Sequence, residues 1–135
     1  MKRIWSIAVI CALVLLCGVS LKVSAHEENV NMRIEPRMSS ISTYGTELSI
    51  SSEGIASVSG FVRGKAGVSS TYVKVTLQKK VSEKWTDINS WEDTNNARST
   101  SIAQTYRVSK GIYRVSMTCS ADSETKITTS AERTY

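Results

Sequence analysis

The sequence has 135 residues, a formal net charge of +5, one histidine and three cysteines. That length suits a single domain. The charged residues are scattered along the chain and form no basic block with interleaved aromatics, so we expect no nucleic-acid partner.

Residues 1–25 have the features of a secretory signal peptide. A basic start at Lys2 and Arg3 precedes an apolar stretch, and the small residues Ser24 and Ala25 stand before a polar segment. The alternative is an uncleaved membrane anchor, since the apolar stretch is near the length that spans a bilayer. The small residues and the lack of a basic stop after them favour cleavage. We therefore expect a secreted, extracellular protein with no membrane contact after cleavage.

Cleavage would change the charge and cysteine counts. Three of the 17 basic residues would leave with the signal and all 12 acidic residues would stay, so that 14 basic residues give a net charge of +2. Cys119 would be the one cysteine left, which excludes an intramolecular disulfide and predicts a domain stabilised by packing. Pairing between two chains through that thiol stays open.

The rest of the chain divides into an arm and one all-β domain. Residues 26–39 are polar and hold the only proline, Pro36, which predicts a flexible N-terminal arm. Residues 40–135 contain runs of five to ten residues, rich in β-branched side chains and bounded by Gly, Asn, Asp or Ser. We predict about seven strands in an antiparallel immunoglobulin-like or fibronectin-like β-sandwich.

The first four predicted strands show alternating faces. The inward sets are Thr46, Leu48 and Ile50; Ala56, Val58, Gly60 and Val62; and Val73, Val75 and Leu77. In the fourth run, residues 84–91, a regular strand would point Ile88 and Trp91 to opposite faces of the sheet. An extra residue would bring both apolar side chains to one face, which predicts a β-bulge. Residues 93–99 are predicted to form a loop.

The last three predicted strands follow the same rule. Their shared faces hold Ile102, Gln104, Tyr106 and Val108, then Tyr113, Val115, Met117 and Cys119, before a final strand at 125–135. Tyr113 follows Lys110 and Gly111 at the start of the penultimate strand, as in a tyrosine corner. In that motif the tyrosine hydroxyl forms a hydrogen bond with the backbone a few residues earlier in the chain. Cys119 continues the apolar face, which predicts a buried and unreactive thiol.

No set of residues indicates catalysis. His26 would become the first residue after cleavage and resembles the N-terminal copper ligand of lytic polysaccharide monooxygenases, but those enzymes need a second histidine. Serine or cysteine nucleophiles lack a histidine base. Glu92 and Asp93 are adjacent, so on a strand they point to opposite faces and form no glycosidase pair. We predict a non-enzymatic protein with no catalytic, cofactor-binding or metal-binding residue.

Aromatic side chains are the candidate binding residues. Trp85 and Trp91 flank the fourth strand and Tyr72 lies on its neighbour, so exposed rings there would stack on sugars. The alternative is that one tryptophan fills the core. We expect the partner to be an extracellular glycan, such as a cell-wall polymer, or a protein. A second hypothesis is structural assembly through sheet edges, and a third is an enzyme acting on polysaccharide.

The chain resembles an uncharacterised family of small secreted β-sandwich proteins of Gram-positive bacteria. The resemblance covers nearly all of residues 40–135 and rests on "ISTYGTELSISSEGIASVSGFVRGKAGVSS", "VKVTLQKK", "KWTDINSW" and "VSKGIYRVSMTCS". These are packing and turn motifs. The resemblance implies a shared sandwich fold and a signal peptide, and it assigns no reaction.

Overall fold

The computed structural model describes residues 38–135, which form eight strands and no helix. The strands are β1 (Ile41–Ile50), β2 (Ile55–Gly64), β3 (Thr71–Val81), β4 (Lys84–Asn95), β5 (Ser99–Arg107), β6 (Ile112–Ala121), β7 (Glu124–Thr129) and β8 (Arg133–Thr134). A membrane-spanning helix is accordingly absent from this part of the chain. The predicted signal peptide and most of the predicted arm lie outside the described residues.

Two antiparallel sheets make up the domain. One has the order β1-β2-β5 and the other the order β4-β3-β6-β7, with β8 pairing β6 beside β7. After the β3–β4 hairpin the chain changes sheet, and β5 pairs with β2. This strand order confirms the predicted immunoglobulin-like β-sandwich.

The predicted last strand is divided into β7 and β8. The amide of Val115 donates to the side-chain hydroxyl of Ser130 at 2.9 Å, where a continuous strand would offer a backbone carbonyl. The amide of Ser130 returns to the carbonyl of Val115 at 2.9 Å. This side-chain substitution ends the regular ladder, so the domain has eight strands instead of about seven.

The core lies between the sheets and matches the predicted parity. The inward side chains of β2, β3 and β6 are at most 2% exposed, and they are Ala56, Val58, Val62, Val73, Val75, Leu77, Tyr113, Val115, Met117 and Cys119. Gln104 is exposed although its parity neighbour Ile102 is buried, because β5 is an edge strand with a partner on one side only.

The predicted bulge in β4 is confirmed. Leu77 lies opposite Asn89 and the next β3 residue, Gln78, lies opposite Asp87, so Ile88 is the extra residue. Beyond it, the predicted loop at 93–99 is wrong in its first half. β4 continues to Asn95, because the first residues of β3 extend far enough to pair with it.

The tyrosine corner is also confirmed. The hydroxyl of Tyr113 donates to the carbonyl of Ser109 at 2.8 Å, while its ring is 2% exposed. Cys119 is buried in the core as predicted, and desolvation raises the pKa of its thiol. Such a thiol is a packing residue and a poor nucleophile.

Candidate functional site

The structure does not bring the three predicted aromatic residues to one surface. Trp91 lies opposite Val75 and packs against the core. Its ring contacts Tyr106 edge-on, with the centroids 6.1 Å apart and the planes at 71°. Trp91 thus fits the alternative in which one tryptophan contributes to packing.

Trp85 and Tyr72 lie on the outward face of the five-stranded sheet but far apart. Trp85 lies opposite Lys80 of β3. Lys80 is eight residues along β3 from Tyr72, so Trp85 and Tyr72 are separated by roughly 26 Å at the rise per residue of a strand. The Arg114 guanidinium carbon lies 4.2 Å from the centroid of the Trp85 ring. The Tyr72 hydroxyl donates to Glu92 at 2.7 Å, and this hydrogen bond raises the pKa of the tyrosine. Both rings are therefore engaged by neighbouring side chains.

Phe61 is the most exposed aromatic side chain among the described residues. It points outward from β2, in the three-stranded sheet, and is 45% exposed. Its neighbours across the two flanking strands are Gly45 and Ser101, both small. A Cβ on Gly45 would stand 3.0 Å from Cε1 of the ring, so the ring rests against the backbone of β1. The glycine is what allows a flat contact between aromatic ring and strand.

A groove of about 580 Å³ begins at this ring. We call it the Phe61 groove. Four strands line it, and the residues used below are Phe61, Arg63, Asp93, Asn95, Ser99 and Ser101. Asp93 and Asn95 reach it because β4 continues past its predicted end.

The charged groups of the Phe61 groove are not paired with each other. Within residues 38–135 the one ion pair joins Lys80 to Glu83 at 3.9 Å. Asp93 accepts a bond from the amide of Thr94 at 2.9 Å, which occupies one of its two carboxylate oxygens. Arg63 is exposed. A planar cation, an anion and an apolar ring thus line one concave surface, a combination typical of small-ligand sites.

Asn95 is fixed at the rim of the Phe61 groove. Its side-chain amide donates to the carbonyl of Ser99 at 3.0 Å, just across the β4–β5 connection. The orientation that makes this bond leaves the side-chain oxygen as an acceptor. The hydroxyls of Ser99 and Ser101 add groups that both donate and accept.

Two other acidic side chains at loop ends bind backbone amides. Glu124 accepts from the amides of Ser39 at 3.2 Å, Ser40 at 2.6 Å and Ile41 at 2.7 Å. The bonds from Ile41 and Ser40 lower the pKa of this carboxyl. Asp122 accepts from the amides of Ser69 and Ser70 at 3.2 and 3.1 Å. These carboxylates hold loops in place and are not arranged as ligands, and the described part of the chain has no group of three or more His, Cys, Asp or Glu that could hold a metal ion.

A second groove, of about 800 Å³, is lined by the other half of the three-stranded sheet and by Arg133. Its strand residues include Glu47, Ser59 and Ala103, which form one cross-strand row. It lacks an exposed aromatic ring. The Phe61 groove is therefore the better candidate.

Sequence reasoning had the signal for Phe61 and did not use it. In the run "VSGFVRG", Val58, Gly60 and Val62 are the inward residues, so the parity already placed Phe61 outward. Its partners on the groove wall could not be read from that parity. Asp93 and Asn95 come from the end of β4, which was predicted to be a loop, and Ser99 and Ser101 come from β5.

The comparisons with known proteins give a likeness of fold only. The chain matches no family model and no curated protein. Among solved structures it is similar to the CARDB domain of a protein from Pyrococcus furiosus, determined in complex with di-metal ions. The identity is 13%, the match covers 72% of this chain and 92% of that chain, and the TM-score is 0.39. A likeness this distant says nothing about function.

Proposed function

We propose that the chain is a secreted, non-catalytic β-sandwich of a Gram-positive bacterium that binds an extracellular carbohydrate in the Phe61 groove. The observation that carries the proposal is an exposed aromatic ring beside a cation and an anion that are not paired with each other. The signal-peptide features of residues 1–25 and the lack of a second histidine support secretion and a non-catalytic role.

Sugars suit this groove because each sugar unit has an apolar C–H face and a polar edge. The C–H face stacks on an exposed aromatic ring such as Phe61. Neighbouring hydroxyls on the edge accept two bonds from a guanidinium such as Arg63 and donate to a carboxylate such as Asp93. The volume of about 580 Å³ lies within the range of ordinary ligand sites.

Sedimentation with insoluble polymers tests the proposal. The purified protein would be mixed with Gram-positive cell wall, chitin or cellulose, and the bound fraction measured at low and moderate salt. We expect at least one polymer to bind, with Phe61→Ala reducing affinity about tenfold or more. Trp85→Ala is the matched control, because it removes an aromatic ring from the other sheet.

Two further variants keep the test decisive if Phe61→Ala is poorly folded. Arg63→Ala and Asp93→Asn change exposed side chains of the Phe61 groove without altering the core, and both should weaken binding. Equal binding by all groove variants would overturn the assignment of the site. An absence of binding to every polymer would overturn the carbohydrate proposal.

Structural assembly through a sheet edge is the second candidate function. It is favoured by β5, an edge strand of nine residues in continuous register with β2. Arg107 is its only charged residue. The longer edge strand β4 is interrupted by the Ile88 bulge, which is a common protection against strand addition.

The third hypothesis, an enzyme acting on polysaccharide, has less support. Glu92 accepts the Tyr72 hydroxyl on the outward face of its sheet, whereas Asp93 lines the Phe61 groove. The two carboxylates therefore point apart, and no shared substrate would lie between them.

A further inference from the structure

The four edges of the two sheets differ in how well they are protected against strand addition. β7 is six residues long and carries Glu124 and Lys126. On β1, Arg133 donates to the carbonyl of Leu48 at 3.0 Å. β4 has its bulge at Ile88. Charge, short length, bulges and coverage are the usual protections, and β5 has none of them between Thr100 and Tyr106.

The hydrogen bonds at the two ends of β5 show which of its backbone groups face outward. The carbonyl of Arg98 accepts from Gly64, and the amide of Val108 donates to the carbonyl of Gly54, so both point toward the β2 side. Backbone direction alternates along an antiparallel strand. The even-numbered residues of β5 therefore bond β2, and the odd-numbered residues present their amides and carbonyls to the open edge.

One of these outward groups already has a partner. The carbonyl of Ser99 accepts from the Asn95 side chain at 3.0 Å, as the alternation requires. The groups of Ser101, Ala103 and Thr105 point the same way, and no hydrogen bond within the described residues occupies them. Three consecutive outward residues thus offer three donors and three acceptors.

We propose that β5 pairs with β5 of a second copy of this chain, antiparallel about a two-fold axis at Ala103. Ala103 then exchanges two hydrogen bonds with its equivalent. Ser101 and Thr105 of each copy exchange bonds with Thr105 and Ser101 of the other. The result is six intermolecular bonds and one continuous six-stranded sheet.

The chemistry of β5 favours its own copy as the occupant. The axis at Ala103 sets Arg107 opposite Ser99, so no two charges of the same sign face each other. The side chains that meet on the outward face are Ala103 with its equivalent and Ser101 with Thr105. These are small enough for the backbones to approach to sheet distance. A symmetric contact of this kind is closed and stops at two chains.

Sedimentation velocity of the purified protein over a wide concentration range tests the pairing. We expect a reversible monomer–dimer equilibrium in which Ala103→Lys raises the dissociation constant about tenfold or more, because two lysines meet at the axis. Ser49→Lys is the matched control, since it adds the same charge to an exposed position on the far strand of that sheet. Its dissociation constant should equal that of the unmodified chain.

Amide hydrogen exchange gives an independent readout. The amides of Ser101, Ala103 and Thr105 should exchange fast in dilute protein and slowly at high concentration. The amides of Ile102 and Gln104 are hydrogen-bonded to β2 and should exchange slowly at every protein concentration. A monomer at every concentration, or a dimer that Ala103→Lys leaves intact, would overturn the pairing. Ser99 and Ser101 also line the Phe61 groove, so carbohydrate binding is tested separately with Phe61→Ala, Arg63→Ala and Asp93→Asn, which leave β5 unchanged. Failure of the pairing and failure of carbohydrate binding are therefore distinguishable.

Discussion

Gly60 of β2 faces Val75 of β3 across the core, and no room is left between them for a side chain at position 60. A Cβ on Gly60 would stand 2.5 Å from Cγ1 of Val75 and 2.8 Å from the sulfur of Met117. These distances are too short for real contacts, so the glycine sets how tightly the core closes.

Gly60→Ala should therefore destabilise the domain. Adding a methyl group to a filled core forces neighbouring side chains from their rotamers, at a cost of about 1–3 kcal/mol. Urea unfolding of the variant measures the loss. Ser57→Ala, an outward change on the same strand, should have little effect. Equal stability of the Gly60 variant and the unmodified chain would show that the sheets have room to separate.

Tyr113→Phe isolates the hydroxyl of the tyrosine corner from the packing of its ring. The variant loses the 2.8 Å bond to the carbonyl of Ser109, and we expect a loss of about 0.5–1.5 kcal/mol of stability. Tyr72→Phe is the comparison, because its 2.7 Å bond to Glu92 is exposed to solvent. Thermal unfolding of both should rank the Tyr113 variant as the less stable.

Glu124 should make the stability of the domain depend on pH in the acidic range. Backbone amides lower its pKa below the ordinary value of 4.5. The stabilisation of the folded state by the Glu124 carboxylate is fully present at pH values above that ordinary pKa. It disappears as the pH falls through the lowered pKa of the folded state. Urea unfolding at several pH values should show Glu124→Gln less stable at neutral pH, with the difference shrinking below pH 4.5. Glu47→Gln, an exposed change on β1, is the matched control for the loss of one negative charge.

Cys119 should resist alkylation in the folded protein. The thiol is buried and its desolvation raises the pKa, so little thiolate is present to react. Iodoacetamide labelling followed by peptide mapping should show Cys119 modified only in denaturant. A Ser57→Cys thiol, on the exposed face, should label without denaturant in the same sample. Ready labelling of native Cys119 would mean that β6 opens far more often than its packing implies.

Much of the fold follows from alternation along single strands. The inward positions of β2, β3 and β6 follow the period-2 pattern because both sides of each of these strands are paired. The same pattern predicted a bulge within residues 84–91, because Ile88 and Trp91 differ in parity, and the structure shows that Ile88 itself is the extra residue. The tyrosine corner depends on a local contact between Tyr113 and Ser109, four residues apart, and this too was predictable.

The candidate site was less predictable because it depends on which strands become neighbours. Phe61, Asp93 and Ser101 belong to three strands from different parts of the chain, and only the sheet order brings them to one groove. The turn-forming residues in "DTNNARS" favoured a loop, whereas pairing with the first residues of β3 kept residues 93–95 in a strand. Long-range pairing therefore outweighed local propensity where the groove wall forms. The signal peptide at 1–25 stays a prediction.

The bonds between Glu124 and the amides of Ser39–Ile41 also have a mechanical consequence. They join positions 83 to 85 residues apart in the chain, and the Lys65 side chain holds the carbonyl of Met38 beside them. A pulling force applied at Met38 would load these bonds before it reached the β1–β2 ladder. The first event under tension would be release of residues 38–40 from Glu124, with the two sheets still intact. A domain built this way yields a little length under load before it unfolds.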